Sequence, residues 1–190
     1  MKAILIPVNV LKAMSLLASK KDVRYYLNGV LVESNNQHTR IVATDGHILG
    51  LYQTTETAHD DEAFSIIIPN EIIAKLDKKD NFLSTNEQGN WAIDGIAFTP
   101  IDGKFPDYQR VLPRTDMTNE VAQFNPDFIT RFQKVGKLLA KNAVPTIAHN
   151  GTGSALVDIG LPNFVGVMMP MRTEKPLAKT PLAFLNSVSV

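Results

Sequence analysis

Asp45, Gly46 and His47 stand side by side in the run IVATDGHILGLY (41–52). An acid beside a histidine is common raw material for proton transfer, but such a pair needs a positioned partner and a pocket. The sequence offers no nucleophile motif, no phosphate-cradling glycine loop and no metal cluster. It contains no cysteine, so disulfides and thiolate metal sites are excluded, and its four histidines (His38, His47, His59, His149) lack ligand-like spacing. No catalytic residue, metal or cofactor is therefore expected, and an enzyme built on Asp45 and His47 is the least favoured reading. Asp-Gly between alternating apolar stretches is instead a hairpin signal, because a type I′ turn needs positive φ at both central residues. The pair recurs at Asp94-Gly95, where Ile96 follows instead of histidine.

The elements around these turns repeat. KAILIPVNVLKAMSLL (from Lys2), FSIIIPNEIIAKLDK (from Phe64) and EVAQFNPDFITRFQK (from Glu120) each read as a short apolar strand with a proline near the start of a helix. Proline suits the first helical turn, where its missing N–H would be unpaired anyway. Helical spacing follows each time: Val10, Met14, Leu17; Ile72, Ile73, Leu76; Phe128, Phe132, Val135, Leu139. Behind each helix come three strand-like runs broken by turn residues. The predicted unit is β-α-β-β-β, three times over.

At 190 residues, 44% apolar and 20% charged, the chain has the composition of a globular protein large enough to bury a core. Nothing approaches the roughly 18 apolar residues of a membrane span, and Pro7, Asn9, Lys12 and Ser15 interrupt the apolar N-terminus, so a cytoplasmic protein is expected. Nineteen basic and nineteen acidic residues cancel. Their placement is uneven, however: Lys12, Lys20, Lys21 and Arg24 fall on or after the first helix, Lys75, Lys78 and Lys79 on the second, and Arg131, Lys134, Lys137 and Lys141 along one face of the third. Three such helices side by side would present a basic surface suited to duplex phosphates irrespective of sequence. Aromatic interleaving is sparse, which argues against stacking on single strands.

Four ordered stretches, DVRYYLNGVLVE, RIVATDGHILG, DGKFPDYQRVLP and VMMPMR, resemble motifs of the bacterial DNA polymerase III β subunit, the sliding clamp. The resemblance implies an α+β DNA-clamp (processivity) fold of β-α-β-β-β half-domain repeats, with helices on one face of antiparallel sheets. Residues 1–113 resemble the family's central domain, residues 114–173 resemble only the second half of its last domain, and residues 174–190 form a tail beyond it. The first domain and half of the last have no counterpart. The implied partners are duplex DNA, polymerase and clamp-loader subunits docking through short peptides, and further copies of the chain in a ring. A non-encircling mimic that competes for clamp partners is the alternative.

Carried over residue by residue, the family's peptide cleft falls on Leu27, Thr44, Gly46, His47, Leu49, Pro106, Arg110 and Val111 on one side. Val167, Met168, Met169, Pro170, Met171 and Arg172 form the other. An apolar groove with adaptable methionines suits leucine or phenylalanine anchors. Three positions depart from the family: Ile48 stands where arginine is usual, Met168 replaces a smaller aliphatic residue, and Thr173 replaces a terminal leucine. The tail contains TPLAFL, which resembles a docking peptide and could occupy the cleft.

Overall fold

The computed structural model describes residues 3–57, 63–77, 80–113, 118, 121–141 and 144–172, with backbone alone for 80 and 81. The first unit runs β1 (Ala3–Pro7), α1 (Val8–Ser15), β2 (Gly29–Ser34), β3 (Thr39–Thr44), β4 (Ile48–Thr54). The second runs β5 (Phe64–Pro69), α2 (Asn70–Ile73), β6 (Asp80–Thr85), β7 (Trp91–Ile93), β8 (Ile96–Phe98). The third supplies α3 (Pro126–Leu139), β9 (Thr146–Ala148), β10 (Ala155–Asp158) and β11 (Phe164–Met168).

The strands form two antiparallel sheets, in the orders β1-β6-β7-β8 and β5-β2-β3-β4-β11-β10-β9. Units one and two exchange their first strands: β1 joins β6 of unit two, and β5 joins β2 of unit one. Units one and three meet edge to edge where β4 pairs with β11, with Leu49 opposite Val167. Alternation along the strands then sends side chains to two cores. Val30, Ile41, Ile48, Ile68, Phe132 and Met168 belong to the larger one, packed with α1 and α3. Leu31, Val42, Leu49, Ile67 and Val167 face the other way and are covered by Tyr108, Phe105 and Leu112 from the segment after β8.

Two glycines let the helices sit close to the large sheet. A Cβ on Gly50 would lie 2.4 Å from Leu17 Cδ1, and one on Gly166 would lie 2.6 Å from the Phe132 ring.

Three expectations change. Only Asp94-Gly95 forms the two-residue turn with positive φ at both positions (48° and 77°). At Asp45-Gly46 only the glycine is left-handed (φ 92°), and residues 45–48 bridge the pair Thr44 and Leu49. The difference lies in the Asp45 carboxylate, whose Oδ1 accepts from the backbone N–H of His47 at 2.8 Å and of Ile48 at 2.9 Å and so replaces turn backbone bonds. The second helix is one turn long, tightening into i→i+3 bonds from Lys75 N to Ile72 O and Leu76 N to Ile73 O. Residues 121–125, expected as the third unit's first strand, are not a strand. In the other units that strand is held by the ladder of a sister unit, and no sister unit fits into residues 113–125.

Candidate functional site: an apolar groove at the junction of units one and three

The groove's floor is made where β4 and β11 meet, with Leu49 and Val167 side by side on the outer sheet face. One wall comes from Leu27, at the end of a 3-10 turn (Tyr25–Leu27), and from the loop 44–48. The opposite wall is the segment carrying Pro106, Asp107, Tyr108 and Val111. Met169 closes one end, and the enclosed volume is about 200 Å³. A neighbouring depression of about 360 Å³ shares Val111 and Met169 and adds Arg110, Leu112, Pro113, Asn150, Gly153 and Ser154. The two together make an elongated track, and Ser154 Oγ donates to Val111 O (3.1 Å) along its side.

The loop that forms the first wall is rigidly held. Thr44 Oγ1 donates to Ile48 O (2.6 Å) and accepts from Gly46 N (3.0 Å). Met169 N donates to His47 O at 2.9 Å, tying the end of unit three to unit one across the groove. The His47 ring stacks on Phe128 of α3, with centroids 6.0 Å apart and planes 17° apart. Asp45 therefore binds the backbone N–H of His47 rather than its imidazole, and the two form no acid–base dyad. Among the described residues no group of His, Cys, Asp or Glu could hold a metal.

Two arginines organise the wall from behind. Arg131 Nε donates to Leu16 O (2.6 Å) and its Nη2 to Ala18 O (3.0 Å), while Nη1 pairs with Asp45 Oδ2. A guanidinium is well placed against carbonyls at the C-terminal end of α1, the negative end of that helix. Arg24 grips Asp22 with Nε to Oδ1 at 3.0 Å and Nη2 to Oδ2 at 2.8 Å, and reaches Asp45 O at 3.3 Å. The hydrogen bonds from Arg24 hold the Asp22 carboxyl down to about 2, below its ordinary 3.8. A Cβ on Gly46 would stand 3.0 Å from this guanidinium, so both the turn's φ and its neighbour call for glycine. On the far wall the Tyr108 hydroxyl donates to Glu33 Oε1 and accepts from Arg40 Nη1 at 3.4 Å. Burial, reinforced by its bond to Glu33, raises its pKa.

Of the residues carried over for the cleft, the structure brings together Leu27, Thr44, Gly46, His47, Leu49, Pro106, Val111, Val167 and Met169. Arg110 is exposed, paired with Asp107 at 2.8 Å, and lies in the neighbouring depression. Met168 is 0% exposed and belongs to the larger core, because alternation sends it to the opposite face from Val167. Pro170, Met171 and Arg172 do not line the groove. Ile48, the departure from arginine, is 1% exposed, so its charge-free side chain serves the core. Arg24, Ile48, Asp107 and Tyr108 line the groove without having been assigned there. The only signal for Arg24 was an acid two residues before it.

The basic residues divide. Lys20, Lys21, Lys75, Lys134, Lys137 and Lys141 are exposed, and Lys12 is half-buried. Arg131 is withdrawn from the basic face by its three bonds, and Arg24 belongs to the groove. Lys78, Lys79, Thr173 and the tail 174–190 lie outside the described residues.

The family model for the DNA polymerase III beta subunit, central domain, matches residues 7–107, just over half of the chain. Among curated relatives, the beta sliding clamp of Pseudomonas aeruginosa is 38% identical over 109 residues, covering 50% of this chain and 29% of that protein. The beta sliding clamp of Escherichia coli K12 is 39% identical over 103 residues, covering 50% and 28%. The chain thus spans under a third of the length of these relatives. Among solved structures, the DNA polymerase sliding clamp from P. aeruginosa superposes with a TM-score of 0.71 at 21% identity, over 90% of this chain and 66% of that one. A Helicobacter pylori beta clamp bound to a DNA ligase peptide gives 0.66 at 16% identity, over 90% and 66%. At these identities the superpositions speak for the fold, an α+β clamp architecture.

Proposed function

The chain belongs to the DNA polymerase III β subunit family, and from that premise we propose that it works as a shortened sliding-clamp protein whose groove docks short peptides of replication and repair proteins. The observation that carries this reading is the groove itself, an apolar slot at the junction of units one and three, walled by Leu27, Leu49, Val111, Val167 and Met169. A slot of that size takes one or two leucine or phenylalanine side chains, and the adjoining depression takes the rest of an extended peptide. Met169, shared by the slot and the adjoining depression, adapts to different anchors.

On this reading residues 1–113 act as one complete clamp domain and 114–173 as half of another. The exposed Lys20, Lys21, Lys75, Lys134, Lys137 and Lys141 supply the non-specific attraction for duplex DNA. The protein acts by holding partners on DNA and carries out no reaction of its own.

Fluorescence anisotropy with a labelled peptide carrying leucine and phenylalanine anchors tests the groove. The intact chain is expected to bind saturably. Met169→Asp and Val111→Asp, at positions 42% and 38% exposed and so tolerable to the fold, are expected to weaken binding at least tenfold. Equal affinity in all three proteins would remove the groove from the account.

A further inference from the structure

Among the described residues the third unit lacks the strand exchange that joins units one and two. In units one and two the first strand of each is paired by the second strand of the other, β1 with β6 and β5 with β2, so two half-domains complete each other reciprocally. In unit three the segment equivalent to that first strand, residues 121–125, is not a strand, and the equivalent second strand, β9, is the terminal strand of its sheet. Residues 113–125 are too few to contain a sister unit. The segments concerned also expose apolar side chains: Val121 is 72% exposed, Val144 just before β9 is 77%, and Leu138 in the last turn of α3 is 44%.

We propose that a second copy of the chain completes the third unit, in a two-fold dimer where residues 121–125 of each copy add as a strand to the outer edge of β9 in the other. The reciprocal exchange inside units one and two is the template, and because the two third units are identical the contact is self-complementary and closes at two copies. Pairing of terminal strand edges also removes the hazard of an open edge.

The register follows from the pairs already formed. Leu51, Val42 and Leu31 lie in line across unit one, and Val167, Leu156 and Ala148 lie in line across unit three. Ala148 thus matches Leu31, whose partner on β5 is Ile67, two residues before the helix cap Pro69. The residue two before the α3 cap Asn125 is Gln123. Gln123 therefore opposes Ala148 of the partner subunit on the outer face, and Phe124 opposes Ile147 of the partner subunit on the helix face, where both residues already pack against the larger core. Within one chain this stretch lies beside the end of unit three without a strand ladder: Thr118 N donates to His149 O at 2.9 Å, Gln123 O accepts from Met171 N at 2.7 Å, and the Phe124 ring stands edge-on to His149.

Since the chain has no cysteine, Gln123→Cys with Ala148→Cys introduces the only thiols. The Cα atoms of directly opposed antiparallel residues lie about 4.5–5.5 Å apart, within disulfide reach. Mild oxidation is expected to convert this variant to a covalent dimer on non-reducing gels. Gln123→Cys with Ile147→Cys, whose thiols face opposite sides of the sheet, is expected to stay uncrosslinked. Light scattering of the unmodified chain should give the mass of two copies at micromolar concentration, and Val121→Glu with Val144→Glu should raise the dimer dissociation constant at least tenfold. A monomer mass for the unmodified chain, or an internal disulfide that runs as monomer, overturns the proposal. The pairing rests on the fold and not on the peptide groove: a dimer that binds no peptide would sink the functional reading alone, and a monomer that binds peptide would sink only the dimer.

Discussion

Arg131 shows how much one side chain can hold together at the residue scale. It links α3 to the end of α1 and to the loop that forms a groove wall, and its partner Asp45 is itself mostly buried. Arg131→Ala removes that carboxylate's charge partner, leaving its Oδ1 bonds to the backbone N–H of His47 and Ile48, and strips two carbonyls of a donor; it is expected to cost about 2–3 kcal/mol in urea unfolding, discounted from the 3–5 of a fully buried pair. Helical periodicity put Arg131 on a basic face because a helical wheel shows direction and not the neighbours that long-range folding brings. The same limit hid the inward turn of Met168: it was carried over with a contiguous run of family residues, although period-two alternation along VGVMM separates it from Val167. His47 carries shape alone, so His47→Ala is expected to keep peptide affinity within about threefold while losing the Phe128 stack.

Asp22 supplies a pH signature at the same scale. Its folded pKa of about 2 lies below the ordinary 3.8, so the ion pair with Arg24 is complete above that ordinary value and is lost as pH falls through about 2. A carboxyl-carbon NMR titration of Asp22 is expected to show its midpoint near 2. A midpoint near 4 would mean that Arg24 is free of it.

At the scale of elements, the repeat and most of the strands were legible in the sequence because proline-started helices and Asp-Gly hairpins are local signals. What was not legible depended on partners: residues 121–125 have strand-like character without a ladder to join, and α2 is shortened to one turn. Close seating of α3 on the sheet depends on Gly166, whose added Cβ would meet the Phe132 ring at 2.6 Å and Val157 O at 3.0 Å. Gly166→Ala is therefore expected to destabilise by about 1–3 kcal/mol through overpacking, read as a lower melting temperature. The exposed lysines of α3 make a separate claim. Replacing Lys134 and Lys137 with Glu is expected to weaken duplex binding and to flatten its log-log salt dependence by about 0.9 per lost phosphate contact. An unchanged slope would take α3 off the DNA.

For the whole molecule, the groove exists only because unit three shares a sheet with unit one. Leu49 and Val167 come from residues far apart in the sequence, and their juxtaposition at the β4–β11 seam is what the four sequence motifs could suggest but periodicity alone could not. In the proposed dimer, two such grooves and two sets of exposed lysines would belong to one particle. The most direct test of the central claim is a methyl NMR titration with a leucine- and phenylalanine-anchored peptide. The methyl signals of Leu27, Leu49, Val111, Val167 and Met169 are expected to shift together and saturate, while those of Met14 and Leu83 in the larger core stay in place. Saturation without shifts at the groove methyls, or shifts confined to some other face, would contradict it.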